Sequence, residues 1–268
     1  MPRPLLTSLS NPLVKQARSL RQRKMRVASG LFLVEGLHHV GSALEAGWGI
    51  EVLIYAPDLL TGDFAHSLLE DAQRAGLNLQ PVSAKVMDSL AEKDNPQGIL
   101  ALVRQRKIHL FDLGEIRSGV ALISPQDPGN VGAILRTIDA VGADVLFLLD
   151  SQTETHSSVD LYHPTLVRAS MGTLFWKPVV QTDFDEFVDW AKGKDYRLIG
   201  TSAHAQLDYR GIRLGGFPWI LVLGSEQKGL SNKQIAVCDA TVSMPMHGRV
   251  SSLNLSVAAG VLLYTLNT

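Results

Sequence analysis

The chain has 268 residues, 46% apolar and 19% charged, with a net charge of −1 and one cysteine, Cys238. That is enough apolar side chain for one large or two ordinary domains, and too little charge for a disordered chain. No apolar run approaches about 18 residues, so no membrane span is expected; the opening MPRPLLTSLSNPLVK lacks the apolar core of a secretory signal, a lone cysteine forms neither an internal disulfide nor a multi-cysteine zinc site, and the expected compartment is cytoplasmic.

Residues 1–30 form a basic lead. Arg3, Lys15, Arg18, Arg21, Arg23, Lys24 and Arg26 stand in it, and the first acidic residue is Glu35. Such a run is an electrostatic footprint suited to phosphates, although it also reads as the solvated basic face of a helix. Residues 31–103 read as a small α/β unit: LFLVEG (31–36) as a short strand, HHVGSALEAG as a helix ended by Gly47, and IEVLIYA (50–56) as a buried strand. A helix over 63–75 and the strand-like LNLQPVS and GILALVRQ complete it, and the mixed-charge stretch 104–118 reads as a linker.

From Gly119 a longer β–α alternation begins and runs through 119–268. VALIS (120–124), DVLFLLD (144–150), RLIGTS (197–202), WILVLG (219–224) and ATVSMP (240–245) are expected strands. Helices are expected at 131–141, 164–173, 184–192, 232–237 and about 254–266. Continuous apolar strands separated by helices predict an α/β fold with a mostly parallel sheet covered on both faces. Ligands in such sheets collect at the carboxyl ends of the strands, and three polar motifs fall there.

The first is ISPQDPGNVGAILRTIDAVGAD (123–144), where Asn130 reads as the helix N-cap. Ile134, Leu135, Ile138 and Val141 make the apolar stripe of this helix, with Arg136 opposite it. Arg136 either pairs with Asp139 on the surface or reaches a ligand phosphate or hydroxyl. The second is WILVLGSEQKGLSN (219–232), in which Gly224 permits a sharp bend or close ligand approach and Glu226 stands at the strand's mouth. Neither GxxxxGK[ST] nor GxGxxG occurs, which argues against those nucleotide cradles. The third is MPMHGRVSSLNLSVAAGVLL (244–263): Ser251 or Ser252 can cap a final helix that, apolar all round, is expected to be internal, with Asn254 held near a buried strand end.

In order and spacing, Asn130–Arg136–Gly142, LGSEQKGLS and MPMHGRVSSLNLSVAA resemble the three motifs of the SpoU-type (TrmH family) RNA ribose 2′-O-methyltransferases of the SPOUT superfamily. The set covers 119–268; TSLSNPLVKQARSLRQRKMR, GLFLVEG and NPQGILALV more loosely resemble the family's substrate-binding domain, implying an L30e-like fold for 31–103. The resemblance implies a C-terminal segment threaded into a trefoil knot, a homodimer, and S-adenosylmethionine as methyl donor with no metal. Carried across residue by residue, it places the donor against Gly224, Met244, Leu253 and the adjacent Thr201. It gives Asn130, Arg136, Glu226, Ser252 and Asn254 to substrate and catalysis.

The implied partner is RNA, ribosomal in preference to transfer RNA, met by Lys15, Arg21, Arg23, Lys24, Arg26 and Arg168. In the 157–172 stretch His163 departs from the family, standing where an Asn is more usual before the proline. A guanidinium with a pKa above about 12 is a feeble base, which favours Arg136 as a stabiliser of the developing alkoxide. The alternatives are a non-catalytic RNA-binding or assembly protein that keeps the fold, and a methyltransferase acting on a base.

Overall fold

A computed structural model of the chain describes residues 3–92, 96–150 and 159–267. Its contacts divide it into two compact units, Met1–Arg106 with Asp160–Trp176, and Lys107–Val159 with Lys177–Thr268.

The first unit runs α1 (Pro12–Ser19), α2 (Arg23–Ser29), β1 (Leu31–Glu35), α3 (Leu37–Glu45), β2 (Ile50–Tyr55), α4 (Asp63–Arg74), β3 (Leu79–Pro81), α5 (Ala84–Leu90) and β4 (Ile99–Arg104). Its strands form a mixed sheet in the order β1-β4-β2-β3, with β4 antiparallel to both neighbours and β3 parallel to β2. The basic lead is part of this unit's core. Asn11 caps α1 by accepting from the Leu13 amide at 2.9 Å, Pro12 supplies the first helical residue, and Val14, Ala17 and Leu20 are buried against the sheet and α5.

Arg26 departs from the expectation that it meets RNA with the other cations of the lead. Only 1% exposed, it pairs with Asp160 and donates to the backbone carbonyls of Leu20 (2.6 Å) and Arg21 (2.8 Å). Its guanidinium is consumed inside the fold, so it offers nothing to a phosphate. Residues 160–176, which the sequence reading puts in the C-terminal domain, belong to this unit. Beside Asp160, the Tyr162 ring lies 4.5 Å from that of Phe32, its hydroxyl donates to the Arg106 carbonyl at 2.5 Å, and burial pushes its pKa up to about 12.

The second unit opens with residues of the expected linker: Leu110, Leu113 and Ile116 are buried in its core, and Ile108 bridges Val180. It continues with β5 (Ser118–Ile123), α6 (Pro128–Ala140) and β6 (Val145–Asp150). After α7 (Pro164–Ala169), which belongs to the first unit, come β7 (Val179–Asp183), α8 (Phe184–Gly193), β8 (Arg197–Thr201), β9 (Leu207–Asp208), β10 (Trp219–Leu223), α9 (Asn232–Ala236), β11 (Ala240–Ser243) and α10 (Leu255–Leu266).

The described strands of this unit form a seven-stranded sheet in the order β7-β6-β5-β10-β8-β11-β9, parallel throughout. Every residue of β5 and β10 is buried, as continuous apolar strands covered on both faces require.

Two caps differ from the expected ones. Asp127, not Asn130, caps α6, because Pro128 fits the first helical position and the Asp127 carboxylate accepts the Asn130 amide at 2.9 Å. Asn254, not Ser251 or Ser252, caps α10, accepting the Ser256 and Val257 amides at 2.9 and 3.4 Å. Nor is α10 internal. Ala259, Leu262, Leu263 and Leu266 are buried, while Leu253, Val257, Val261 and Tyr264 form a stripe at helical spacing that is 37–61% exposed. The helix is apolar all round although one face of it is exposed.

Among the described residues no helix is long and apolar enough to cross a membrane, and no group of three or more His, Cys, Asp or Glu side chains is placed to hold a metal ion.

Candidate active site

Strand order locates the site. The chain leaves β5 through α6 toward β6 on one side, and leaves β10 through α9 toward β11 on the other. β5 and β10 are hydrogen-bonded neighbours in parallel register, Leu223 opposite Leu122, so the connections part at their carboxyl ends. A crevice opens where connections diverge in this way.

On the β10 side of that switch point lies a cleft of ≈ 740 Å³, walled by the segments that follow β8, β10 and β11, by Asn130 and by the start of α10. Thr201, Gly224, Met244 and Leu253, the expected donor contacts, all line it, as do Asn130, Glu226, Ser252 and Asn254. Leu230, Val242 and Leu262 give it an apolar floor. A larger cavity, ≈ 1430 Å³, lies at the opposite, amino-terminal edge of the same sheet, away from every one of these residues.

Gly224 is required by close approach. After β10 the chain folds back on itself, with the Gly229 amide donating to the Ser225 carbonyl at 2.9 Å. A Cβ at Gly224 would collide with the Gly229 carbonyl group and the Leu230 amide. Any side chain there would push this loop off the strand end and reshape the cleft wall.

Three polar side chains from three separate motifs join at the cleft. The Asn254 amide donates to Asn130 Oδ1 at 3.0 Å, and the Asn130 amide donates to Glu226 Oε1 at 3.3 Å. The other Glu226 oxygen accepts the Gln126 backbone amide at 3.3 Å. Each link restricts the next: the carboxylate accepts only, so Asn130 must present its NH₂ toward Glu226 and its oxygen toward Asn254. Each amide keeps a second N–H for a ligand hydroxyl or phosphate.

Arg136 is not among these groups. It is exposed on α6, six residues and so about 9 Å of helix beyond Asn130, and does not line the cleft. Its alternative pairing is not made either, because Asp139 pairs with Lys177 at 3.6 Å. In the lead, Lys15, Arg21, Arg23 and Lys24 are exposed, Arg21 donating to the Leu90 (3.1 Å) and Ala91 (2.6 Å) carbonyls. Arg168 is half-buried and sits 3.5 Å from Glu92. The departure at His163 keeps the role of an asparagine, since its Nδ1 accepts the Thr165 amide at 3.2 Å as the cap of α7.

Sequence reasoning passed over two contributors. His204 lines the cleft just past β8, where the strand-end argument that selects Thr201 extends to it. The Gln126 backbone amide that holds Glu226 has no sequence signal, since any residue type supplies an N–H. His247 does not line the cleft. The carboxyl of Asp208, nearby, is held at about 2 chiefly by its hydrogen bonds to Arg210.

The chain is similar to known proteins along nearly its whole length. The SpoU rRNA Methylase family matches residues 118–264, and the MRM3-like substrate binding domain matches residues 11–101. The chain is 34% identical over 254 residues to the 23S rRNA (uridine(2479)-2′-O)-methyltransferase of Streptomyces viridochromogenes, covering 91% of this chain and 85% of that one. It is 29% identical over 267 residues to the 23S rRNA (guanosine(2553)-2′-O)-methyltransferase RlmP of Bacillus subtilis, covering 97% and 98%. Among solved structures, the AdoMet-bound rRNA methyltransferase from Sinorhizobium meliloti superposes with a TM-score of 0.87 at 33% identity, over 98% of this chain and 96% of that one.

Proposed function

Because the chain belongs to the SpoU rRNA methylase family, we infer that it transfers a methyl group from S-adenosylmethionine to a ribose 2′-hydroxyl of RNA. The observation that carries the reading is the run Glu226–Asn130–Asn254, hydrogen-bonded at a cleft walled by Gly224, Met244 and Leu253. Ribosomal RNA is the preferred substrate class, since the relatives just described act on 23S rRNA.

The cleft's residues fit the donor. Its volume lies within the usual range for ligand sites, its floor is apolar, and its rim offers backbone groups of 224–229 and the side chains of Thr201 and Ser252. The bound donor supplies an electrophilic methyl on a sulfonium. The protein's residues must bring a ribose oxygen into line with it, and most of the acceleration comes from that placement. The remaining N–H groups of Asn130 and Asn254, with the Ser252 hydroxyl, orient the ribose. Glu226 acts as a positioning residue that fixes the Asn130 amide.

The ribose oxygen takes the methyl, a neutral thioether is left behind and the hydroxyl proton passes to water; a fixed positive charge stabilises the oxygen as that proton departs. Arg136 is assigned that role, acting from the partner subunit of a homodimer. Support for the dimer is the uncovered stripe Val257–Val261–Tyr264 on α10, a helix that packs beside α6. The trefoil threading is proposed on kinship and on the convergence of the 224–230 and 244–255 segments at one cleft. The exposed cations of the lead, Lys15, Arg21, Arg23 and Lys24, with Arg168, are proposed to dock RNA phosphates. Calorimetry with S-adenosylmethionine, followed by labelled methyl transfer to ribosomal RNA, tests the reading. Binding and transfer are expected; a protein that ignores the donor contradicts it.

A further inference from the structure

The cavity at the amino-terminal edge of the parallel sheet is unused by the chemistry above. Arg117, Lys194 and Arg213, all exposed, line it together with a single carboxylate, Glu115. Among the described residues none of the three cations is ion-paired. Unpaired cations gathered in a concavity concentrate positive potential there and invite an anionic partner.

An aromatic ring stands among them. Gly215 and Gly216, at φ 61° and 78°, turn the chain sharply before Phe217. The ring is 51% exposed. The Arg197 guanidinium lies 4.0 Å from the ring centroid, and the exposed part of the ring is what a second flat group can reach.

We propose that this concavity is a second RNA contact, which takes a single strand by stacking one base on the exposed part of the Phe217 ring and holding flanking phosphates with Arg117, Lys194 and Arg213. Aromatic platforms ringed by cations suit single strands because every base has a π face. The surface is separate from the methyl-transfer cleft: Trp219 of β10 lines the one and Leu223 the other, about 13 Å apart along the same strand. RNA that occupies both must extend beyond the methylated nucleotide. The proposal rests on the methyltransferase reading only for the choice of RNA as ligand.

The test measures binding of the full chain to an oligouridylate of about 20 nucleotides, longer than a single platform needs, across a salt series. Phe217→Ala is expected to weaken binding about tenfold, and Phe217→Trp to restore it. The triple variant Arg117→Ala, Lys194→Ala, Arg213→Ala should flatten the slope of log affinity against log salt by about 2, from three contacts at roughly 0.7 each. Thermal melts matching the wild type verify that the variants fold. Wild-type affinity and slope in both Phe217→Ala and the triple variant would overturn the proposal. Equal binding of a duplex of the same length would overturn the stacking. A wild-type protein that transfers no methyl would sink the enzymatic reading and leave this result standing, so the two fail separately.

Discussion

Asn254 carries two functions on different atoms, and substitution separates them. Its Oδ1 caps α10 through the Ser256 and Val257 amides, while its Nδ2 donates to Asn130 at 3.0 Å. Serine is about as good a cap as asparagine but has no amide to reach Asn130; alanine has neither group. Asn254→Ser is therefore expected to lose only the link to Asn130, and Asn254→Ala to lose the cap as well, leaving it about 1 kcal/mol less stable than Asn254→Ser. Asn254 is exposed, which keeps the cap at the modest end of its range.

The link to Asn130 is a neutral hydrogen bond worth about 0.5–1.5 kcal/mol. If it serves mainly to hold the ribose-orienting amide, both variants lose up to about tenfold in kcat. Urea titration monitored by circular dichroism reads the first quantity, and labelled methyl transfer under saturating donor and RNA reads the second. The signature is two variants of unequal stability and equal catalytic deficit. Full activity in Asn254→Ser would remove the Asn130 link from catalysis, and undiminished stability in Asn254→Ala would remove the cap.

Three further outcomes follow from which side chains are buried and which are exposed. Arg26→Ala should destabilise the protein by about 3–5 kcal/mol, because it strands a carboxylate that is only 14% exposed. Arg23→Ala with Lys24→Ala should leave the denaturation midpoint in place and flatten the salt dependence of RNA binding; an unaltered midpoint in Arg26→Ala would refute the burial argument. Burial, with a lesser contribution from Asp239, raises the Cys238 thiol from 9.0 to about 11. The fold thus favours the neutral thiol, a stabilisation fully present below pH 9 and lost as pH rises toward 11. Tyr162, raised from 10.0 to about 12, adds a loss of the same sign somewhat higher. Melting temperatures should decline progressively above pH 9, whereas a flat profile to pH 11 would contradict both shifts.

Much of the second unit was legible because its strands are long, apolar and punctuated. VALIS, DVLFLLD, RLIGTS, WILVLG and ATVSMP all became strands within a few residues of their expected limits. β7 (VVQTD) escaped because half of it is polar, and the two-residue β9 carries too little pattern to register. In the lead, α1 announced itself only through Asn11-Pro12; the repeated cations masked the Val14–Ala17–Leu20 face that makes it core.

The candidate site was legible where chemistry sits in side chains of distinctive spacing. Asn130, Glu226 and Asn254 come from different motifs and meet. What was hidden depended on geometry that no local pattern encodes. Arg26 and Arg23 are indistinguishable in sequence, yet one is consumed by Asp160, 134 residues away. Arg136 lies outside the cleft. The outer face of α10 looked like core because an exposed apolar face and a buried one have the same composition.

The identity of the methylated atom tests the central claim most directly. Ribosomal RNA lacking this modification is to be incubated with the protein and labelled donor, digested to nucleosides and separated. The account predicts all label on a 2′-O-methylated nucleoside, with none transferred by Arg136→Ala. Label on a base, or undiminished transfer by Arg136→Ala, would contradict it.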